Sequence, residues 1–457
     1  MGARDASGLY LGRSPAGPLL AGAEQGVLAL GPPRSGKTSA LIVPNILCAP
    51  GAVVSTSTKL DVLAATVANR QRAGRCWLFD PSGTVDAPAG VELLRWSPIS
   101  AAGTWDGALA MARAMVQAAR PATSWGEASH WSERAEALLG PLLHAAARSG
   151  ADTRVLAGWV NRHQAKPALD ALRAAGSSTA VDVLEGIVAT DERELSGIWS
   201  TAAGVMGAYR SGAALERTAA PNWDAAPFVA SADTVYVCAT GRYQALVAPL
   251  VVGLIEAVRA EVYARAAALL AAGGPPAPPV LLALDEVATI APLPELAAMV
   301  ADGGGQGLIT LACLQDLSQA RARWGQAADG FLSLFGATVL LRGIGDVRTL
   351  QAASALAGDG LEPVRSDHEA RSRTGRSRSV TWTTRRQPNL AVDEIAAGHD
   401  GYALVVGGGQ RPGWVRLTRW WENEPWRSLA LGPPAPAVQL ERAAPSRWAR
   451  RAEGRGR

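Results

Sequence analysis

Residues 25–48 read QGVLALGPPRSGKTSALIVPNILC. The apolar run Val27 to Leu30 stops at a turn of glycine and proline, and apolar residues then recur at helical spacing. The stretch therefore predicts a buried strand, a tight loop and a helix. Inside the loop, Gly31-Pro32-Pro33-Arg34-Ser35-Gly36-Lys37-Thr38 fits GxxxxGK[ST] between strand and helix, the context that gives the pattern meaning. Ordinary residue frequencies yield roughly 0.004 such matches by chance in a chain of this length. Backbone N–H groups surround a phosphate only where side chains do not intrude, and a helix N-terminus adds a favourable dipole. Gly31 to Ser39 is thus the candidate phosphate-binding stretch, with Lys37 bridging β- and γ-phosphates and the Thr38 hydroxyl ligating Mg²⁺.

Working outward, GAVVST (51–56) leads through Lys59 and Asp61 into a helix, and CWLFD (76–80) follows Gly74. Strand, loop and helix in repetition predict an α/β fold with a mostly parallel sheet. From Trp105 to Thr218 the texture changes to helical spacing, as in WSERAEALLGPLLHAAA (131–147), with no convincing strand, which predicts an inserted all-α domain. Strands resume at DTVYVCA (233–239), followed by a helix over 244–270, the breaker AAGGPPAPP (271–279) and VLLALDE (280–286). GLITLACLQD (307–316) and ATVLLRG (337–343) read as two further strands. Ser366 to Arg386 is polar and arginine-rich and reads as a mobile loop. A short helix (393–397) and the strands GYALVVGG (401–408) and GWVRLTRWW (413–421) complete the body. The expected domain limits are 1–104 and 223–435 for the two parts of a nucleotide-binding domain, 105–222 for the helical insertion and 436–457 for a disordered arginine-rich tail.

With 457 residues, 48% hydrophobic and 18% charged, the chain has the composition of a globular protein of two or three domains and not of a disordered one. A formal charge of +4 is too small to argue nucleic-acid binding by itself. Of the 44 basic residues only Lys37, Lys59 and Lys166 are lysines, so each invites inspection. Cys48, Cys76, Cys238 and Cys313 lie far apart in or beside apolar runs, as expected of buried thiols in a reducing compartment. His130, His144, His163, His368 and His399 show no metal-ligand spacing. The first thirty residues hold no sustained apolar block, and the longest one, Ala245–Val258, is interrupted by Gly253 and Glu256. A bilayer span needs about 20 apolar residues, so the chain as given reads as soluble.

Leu281–Glu286 is a buried-strand run ending in two acids. Such acids often only cap a helix; paired with the loop above, Asp285 is placed to hold Mg²⁺ and Glu286 to polarise the attacking water. Gln315 ends the following strand, either as a plain polar end or with its amide set to sense the γ-phosphate. Lys59 and Asp61 lie at a strand's carboxyl end, where ligands of parallel sheets bind, or else act as a solvated lysine and a helix cap. Seven arginines between Arg365 and Arg386 surround Trp382, and six more run from Arg442 to Arg457. Arg371, Arg373, Arg376, Arg378 and Trp382 are the candidate DNA contacts, because guanidinium beside an aromatic suits phosphate pairing and base stacking. A solvated loop accounts for the same residues.

Together these segments resemble the TraG/TraD family of type IV coupling proteins. The resemblance rests on YLG (10–12) before GPPRSGKT, VVSTSTKLD (53–61), LFDP (78–81), RWSPI (95–99), the long run ALDEVATIAPLPELAAMVADGGGQGLITLACLQDLSQARARWG (283–325), RRQPNLAVDEI (385–395) and GYALVVGGG (401–409). It implies a RecA-like P-loop NTPase with an all-α insertion, assembled as a homo-hexamer. Such a ring hydrolyses ATP with Mg²⁺ between subunits and drives single-stranded DNA, with its relaxase, toward a type IV secretion or conjugation channel. By position, Gly31 to Thr38 then bind phosphates, Asp285 and Glu286 serve metal and water, and Gln315 reads the γ-phosphate. Family members usually carry membrane helices before the phosphate loop. Here the resemblance implies a cytoplasmic chain, peripheral at the inner face of the membrane, docking through a separate partner. Many members also place Gly-Arg after the Walker B strand, the arginine acting across the subunit interface. This chain has Asp302-Gly303-Gly304-Gly305 there. A trans-acting arginine then comes from elsewhere, Arg342 or Arg321, or turnover is slow. A protein-secreting ATPase and a catalytically weak nucleotide-binding scaffold are the alternatives within the same fold.

Overall fold

The computed structural model describes residues 8–119, 127–372 and 375–431. Its strands are β1 (Tyr10–Ser14), β2 (Gly17–Leu20), β3 (Val27–Leu30), β4 (Val53–Ser57), β5 (Cys76–Phe79), β6 (Glu92–Leu93), β7 (Thr234–Cys238), β8 (Val280–Leu284), β9 (Leu308–Leu314), β10 (Ala337–Leu341), β11 (Asp359–Ser372), β12 (Gly375–Pro388), β13 (Tyr402–Gly407) and β14 (Gln410–Arg416). Twelve of them form one sheet in the order β2-β1-β14-β13-β10-β3-β9-β8-β4-β7-β5-β6. From β10 to β6 every neighbouring pair is parallel. β13, β14, β1 and β2 extend the other flank antiparallel. β3, β4, β5, β7, β8, β9 and β10 are buried at every position, as strands covered on both faces must be. This is the RecA-like P-loop architecture that the sequence leads one to expect.

One order of neighbours matters for function. β3, β9 and β8 are consecutive in the sheet, so the residues after their carboxyl ends, Gly31, Gln315 and Asp285, come to one rim although the chain separates them widely. The amide of Gly31 donates to the Leu314 carbonyl at 3.2 Å, locking two of these strand ends together.

Among the described residues, the segment between β6 and β7 is helical, including Trp105–Ala119, Glu127–Ser149, Thr153–Asn161, Lys166–Ala174, Ser178–Val188, Glu192–Val205 and Gly212–Thr218. Its apolar side chains, Leu138, Leu142 and Ile198 among them, belong to the same core as Leu28, Val54 and Leu282 on one face of the sheet. The opposite face packs Val27, Val53 and Leu281 against Leu41, Ile46 and Trp426. The strands' amino ends are held by Arg70, which is buried and donates to the Thr234 hydroxyl and to the carbonyls of Ala49, Gly51 and Ala232 at 2.7–2.8 Å. His144 is likewise structural, with Nδ1 2.9 Å from the Ala102 carbonyl and Nε2 3.0 Å from the Ser177 hydroxyl. Cys76, Cys238 and Cys313 are buried free thiols and Cys48 is half-buried. Among the described residues no helix is long and apolar enough to cross a membrane.

Two expectations are corrected, and two strands went unread. Ser366 to Arg386 is no loop: β11 and β12 form a separate two-stranded ribbon, registered from Asp359↔Pro388 to Ser372↔Gly375. A solvated strand needs pairing and β-branched or aromatic residues, not burial, and Val380-Thr381-Trp382-Thr383-Thr384 supplies them. The last strand ends at Arg416, and Trp420–Glu422 form a 3₁₀ turn instead of continuing it. β1 and β2 escaped the sequence reading because they are short strands in a Gly/Pro-rich stretch; β2 is the sheet's edge, where Pro18 loses no ladder bond that a central strand would need. The tail 436–457 lies outside the described residues.

Candidate nucleotide site

The phosphate loop grows out of β3, whose four residues are fully buried. Gly31 is required where the loop leaves the strand: a Cβ there would come within 2.8 Å of the Ser35 hydroxyl and 2.9 Å of Leu341 Cβ. Gly36 adopts φ +105, which glycine alone takes readily, and Arg34 is held at φ 64. The helix that follows opens with a wide π turn, Thr38–Ile42, and continues as Val43–Cys48. Such wide turns recur at functional sites because they redirect the first amides of a helix. Lys37 is 6% exposed, and its ammonium donates to the carbonyl of Gly31 and, at 3.1 Å, to that of Pro32. The charge therefore sits inside the ring of loop amides. The Ser35 hydroxyl is buried with no hydrogen-bond partner, an orphan of the sort that a bound anion satisfies.

Across the rim, Thr38 Oγ1 donates to Asp285 Oδ2 at 2.5 Å, joining side chains 247 positions apart in sequence. The Asp285 backbone carbonyl accepts from Thr56 Oγ1 at 2.9 Å, so β4 fixes where β8 ends. Asp285 is 7% exposed. Its carboxyl is pushed up to about 6 by burial; the Thr38 hydrogen bond opposes that, neighbouring Glu286 adds to it, and the Lys37 ammonium opposes it again. Glu286 is half-buried and stands at φ 53, in the left-handed region that a non-glycine residue enters only when its surroundings force it.

Gln315 follows the strand between β3 and β8, half-buried beside the loop, and its backbone N–H donates to Gln319 Oε1 at 3.0 Å. Asp61 opens the helix Asp61–Ala73; its carboxylate accepts from the Val62 amide at 2.9 Å and the Ser57 hydroxyl at 3.3 Å. Lys59 is exposed at the same rim. Loop, Asp285, Glu286 and Gln315 are thus brought together, with Lys59 and Asp61 at the margin. Trp382 stands apart on the ribbon, 64% exposed. The backbones of Arg371, Arg376 and Arg378 lie in β11 and β12; Arg373 lies outside the described residues.

Of the two arginines considered for a trans role, Arg321 is engaged within the chain by Asp346 at 2.7 Å, the residue that caps the helix Val347–Ala357. Arg342 follows β10 beside the chain's own phosphate loop and pairs with Asp400 at 3.2 Å. Sequence reasoning missed Arg323. Its part-buried guanidinium donates to the carbonyls of Gln117 and Ala118, and Trp324 Nε1 donates to the Leu293 carbonyl at 2.7 Å. These bonds tie the QDLSQARARWG segment to the end of helix Trp105–Ala119 and to the loop after β8. Two arginines and a tryptophan so close behind a strand end were the available signal.

Residues 279–399 match the family described as the TraM recognition site of TraD and TraG. Solved structures of similar fold include the bacterial conjugative coupling protein TrwB in an unbound form, 18% identical with TM-score 0.64 over 89% of this chain and 88% of that one. They include the plasmid coupling protein TrwB with ADP and Mg²⁺, 17% identical with TM-score 0.61 over 90% and 88%. TrwB with a non-hydrolysable ATP analogue is 18% identical with TM-score 0.64 over 96% and 93%. No curated protein matches the sequence.

Proposed function

We propose, from the premise that this is a chain of the TraG/TraD coupling-protein type, that it hydrolyses ATP at Gly31–Ser39 and uses the cycle to bring DNA to a type IV secretion or conjugation channel. The observation that carries this reading is the Thr38–Asp285 contact, which places a hydroxyl and a carboxylate beside a lysine-bearing loop at one rim. The loop fits a triphosphate: glycine clears room at Gly31, Lys37 stands within the ring, and the Ser35 hydroxyl awaits a partner. Thr38 and Asp285 would hold Mg²⁺, a hard cation that takes oxygen ligands and neutralises charge on phosphate oxygens. TrwB, the coupling protein of similar fold, was solved with ADP and Mg²⁺ and with an ATP analogue.

In this mechanism the loop amides and Lys37 bind and orient the phosphates. Glu286, next to Asp285 and strained into position, takes a proton from the attacking water. The Gln315 amide senses whether a γ-phosphate is present, and the bonds of Arg323 pass a shift of its strand end to the helical segment. Residues 1–104 and 223–435 act as the nucleotide-binding body and 105–222 as a helical domain. The assembly is a homo-hexamer, cytoplasmic and peripheral at the inner face of the membrane through a partner. Trp382, the ribbon arginines Arg371, Arg376 and Arg378, and Arg373 serve as DNA contacts. ADP production by the purified chain tests this reading: stimulation by single-stranded DNA supports it, and stimulation by a substrate protein alone supports the protein-secreting alternative.

One observation favours a second reading, a slow nucleotide-binding scaffold. A Cβ on Gly304 would sit 1.9 Å from the Glu24 carbonyl oxygen. At Gly304, within the glycine run that stands where many family members carry Gly-Arg, no side chain fits, and hence no arginine that could reach a neighbouring subunit. Turnover below one ATP per subunit in the presence of DNA would decide for the scaffold.

A further inference from the structure

Glu286 has the least ordinary backbone at the rim. Its φ of 53 and ψ of 47 lie in the left-handed region, where a residue with a Cβ crowds its own carbonyl and stays only under outside constraint. The two peptide planes that meet at its Cα are each anchored. On the far side, the Glu286 carbonyl accepts from the amides of Thr289 at 3.0 Å and Ile290 at 3.1 Å, which opens the short helix Val287–Ile290. On the near side, the plane between Asp285 and Glu286 is held through its oxygen by Thr56 Oγ1 at 2.9 Å.

This near anchor lies outside the strand ladder. β4 and β8 are registered from Val53↔Leu281 to Thr56↔Leu284, so the Asp285 carbonyl comes just past the last pair, and a side chain takes it in place of a backbone amide. Thr56 is fully buried, in a strand where valine would offer nearly the same shape and no polar atom. A buried hydroxyl costs free energy unless it is bonded, and the Asp285 carbonyl is its acceptor. The hydroxyl of neighbouring Ser55 is buried too, without a partner.

We propose that Thr56 is a positioning residue for hydrolysis: by fixing the peptide plane between Asp285 and Glu286, its hydroxyl holds Glu286 in the left-handed bend and so aims the Glu286 carboxylate at the attacking water. As the water oxygen bonds to the γ-phosphorus and the bridging oxygen leaves with ADP, the water's proton passes to that carboxylate, and its placement governs the rate. The Asp285 side chain has its own hold in Thr38, and the phosphates have the loop, so nucleotide binding is independent of Thr56. The proposal rests on the hydrolysis reading above.

ADP production with Mg²⁺ and ATP, calorimetric ATP affinity and crystal structures of full-chain variants test it. Thr56→Val is expected to lower kcat by about tenfold, the upper range for one lost hydrogen bond, with ATP affinity within about twofold of the unaltered chain. Its crystal structure should show Glu286 outside the left-handed region. Thr56→Ser keeps the hydroxyl and holds kcat within about threefold of the unaltered chain, whereas Thr56→Ala loses as much as Thr56→Val. That serine and alanine pair isolates the hydroxyl should the valine variant fold poorly. Ser55→Ala, one residue away, leaves kcat unchanged. Undiminished kcat in Thr56→Ala overturns the proposal, and so does a slowed variant with Glu286 still at its original φ. Equal losses of ATP affinity and kcat would place the effect at Asp285 and overturn it too; a serine variant as slow as the alanine one would make Thr56 a packing residue. Absence of ADP from the unaltered chain sinks the hydrolysis reading and the proposal with it, whereas the other contrary results sink the proposal alone.

Discussion

The rim of the parallel sheet and the β11–β12 ribbon are built on opposite terms. At the rim, polar groups are few, buried and tied: Lys37 to two loop carbonyls, Thr38 to Asp285, Asp285 to Thr56. On the ribbon, cross-strand pairing puts Leu361, Val380 and Trp382 on one face, all exposed, with Leu361 at 73%. The rim owes its geometry to the core beneath it. The ribbon owes its geometry to its own backbone ladder and offers its side chains to something else. A site that does chemistry needs the first arrangement, because preorganised groups spend nothing on rearranging. A surface that grips a long, irregular partner is served by the second.

The contrast breaks first in stability. Leu282→Ala, in the fully buried β8, is expected to cost about 2–5 kcal/mol, whereas Leu361→Ala should stay within about 0.5 kcal/mol; urea midpoints of the two variants measure both. Lys37→Ala should lower ATP hydrolysis by about a hundredfold or more, the usual loss when a charge-stabilising donor is removed, without moving the urea midpoint comparably. Trp382→Ala should weaken single-stranded DNA binding by about tenfold, as expected for one lost stacking contact, and leave ATP affinity alone; fluorescence anisotropy with a labelled oligonucleotide reads it. If ATP affinity falls equally, ribbon and rim are not independent.

The smallest effect is in pH. Burial raises the Asp285 carboxyl to about 6, so the proton competes with Mg²⁺ as pH falls and the ionised fraction drops through that value. Mg²⁺-dependent ATP affinity should decline by about fourfold between pH 7.5 and 5.5, from the fraction of carboxylate remaining. A flat profile would mean that Asp285 does not meet the metal.

Legibility in the sequence followed the range of the cause. The phosphate loop was readable because its requirements are local: glycine where Cβ would collide, lysine and threonine where the helix begins. Asp285 and Glu286 were readable as acids closing an apolar strand, but the meeting of Asp285 with Thr38 is a product of the strand order β3-β9-β8, which only crossover connections establish. The ribbon went unread because no burial period marks a strand solvated on both faces, although Val380 to Thr384 carried the strand preference in plain view. Arg70 and Arg323 depend on carbonyls brought from far along the chain, and residue type alone does not announce them. The glycine run Gly303–Gly305 is the instructive middle case: the absent arginine was legible, and at Gly304 the Glu24 backbone adds a steric bar to any side chain.

The central claim is that Glu286 drives nucleotide hydrolysis at a rim assembled by Thr38 and Asp285. The direct test is ADP production by the unaltered chain and by Glu286→Gln, run side by side with Mg²⁺, ATP and single-stranded DNA, with ATP binding measured on both. The account expects equal binding, with turnover in the unaltered chain and almost none in the variant. Equal turnover in the two would contradict it.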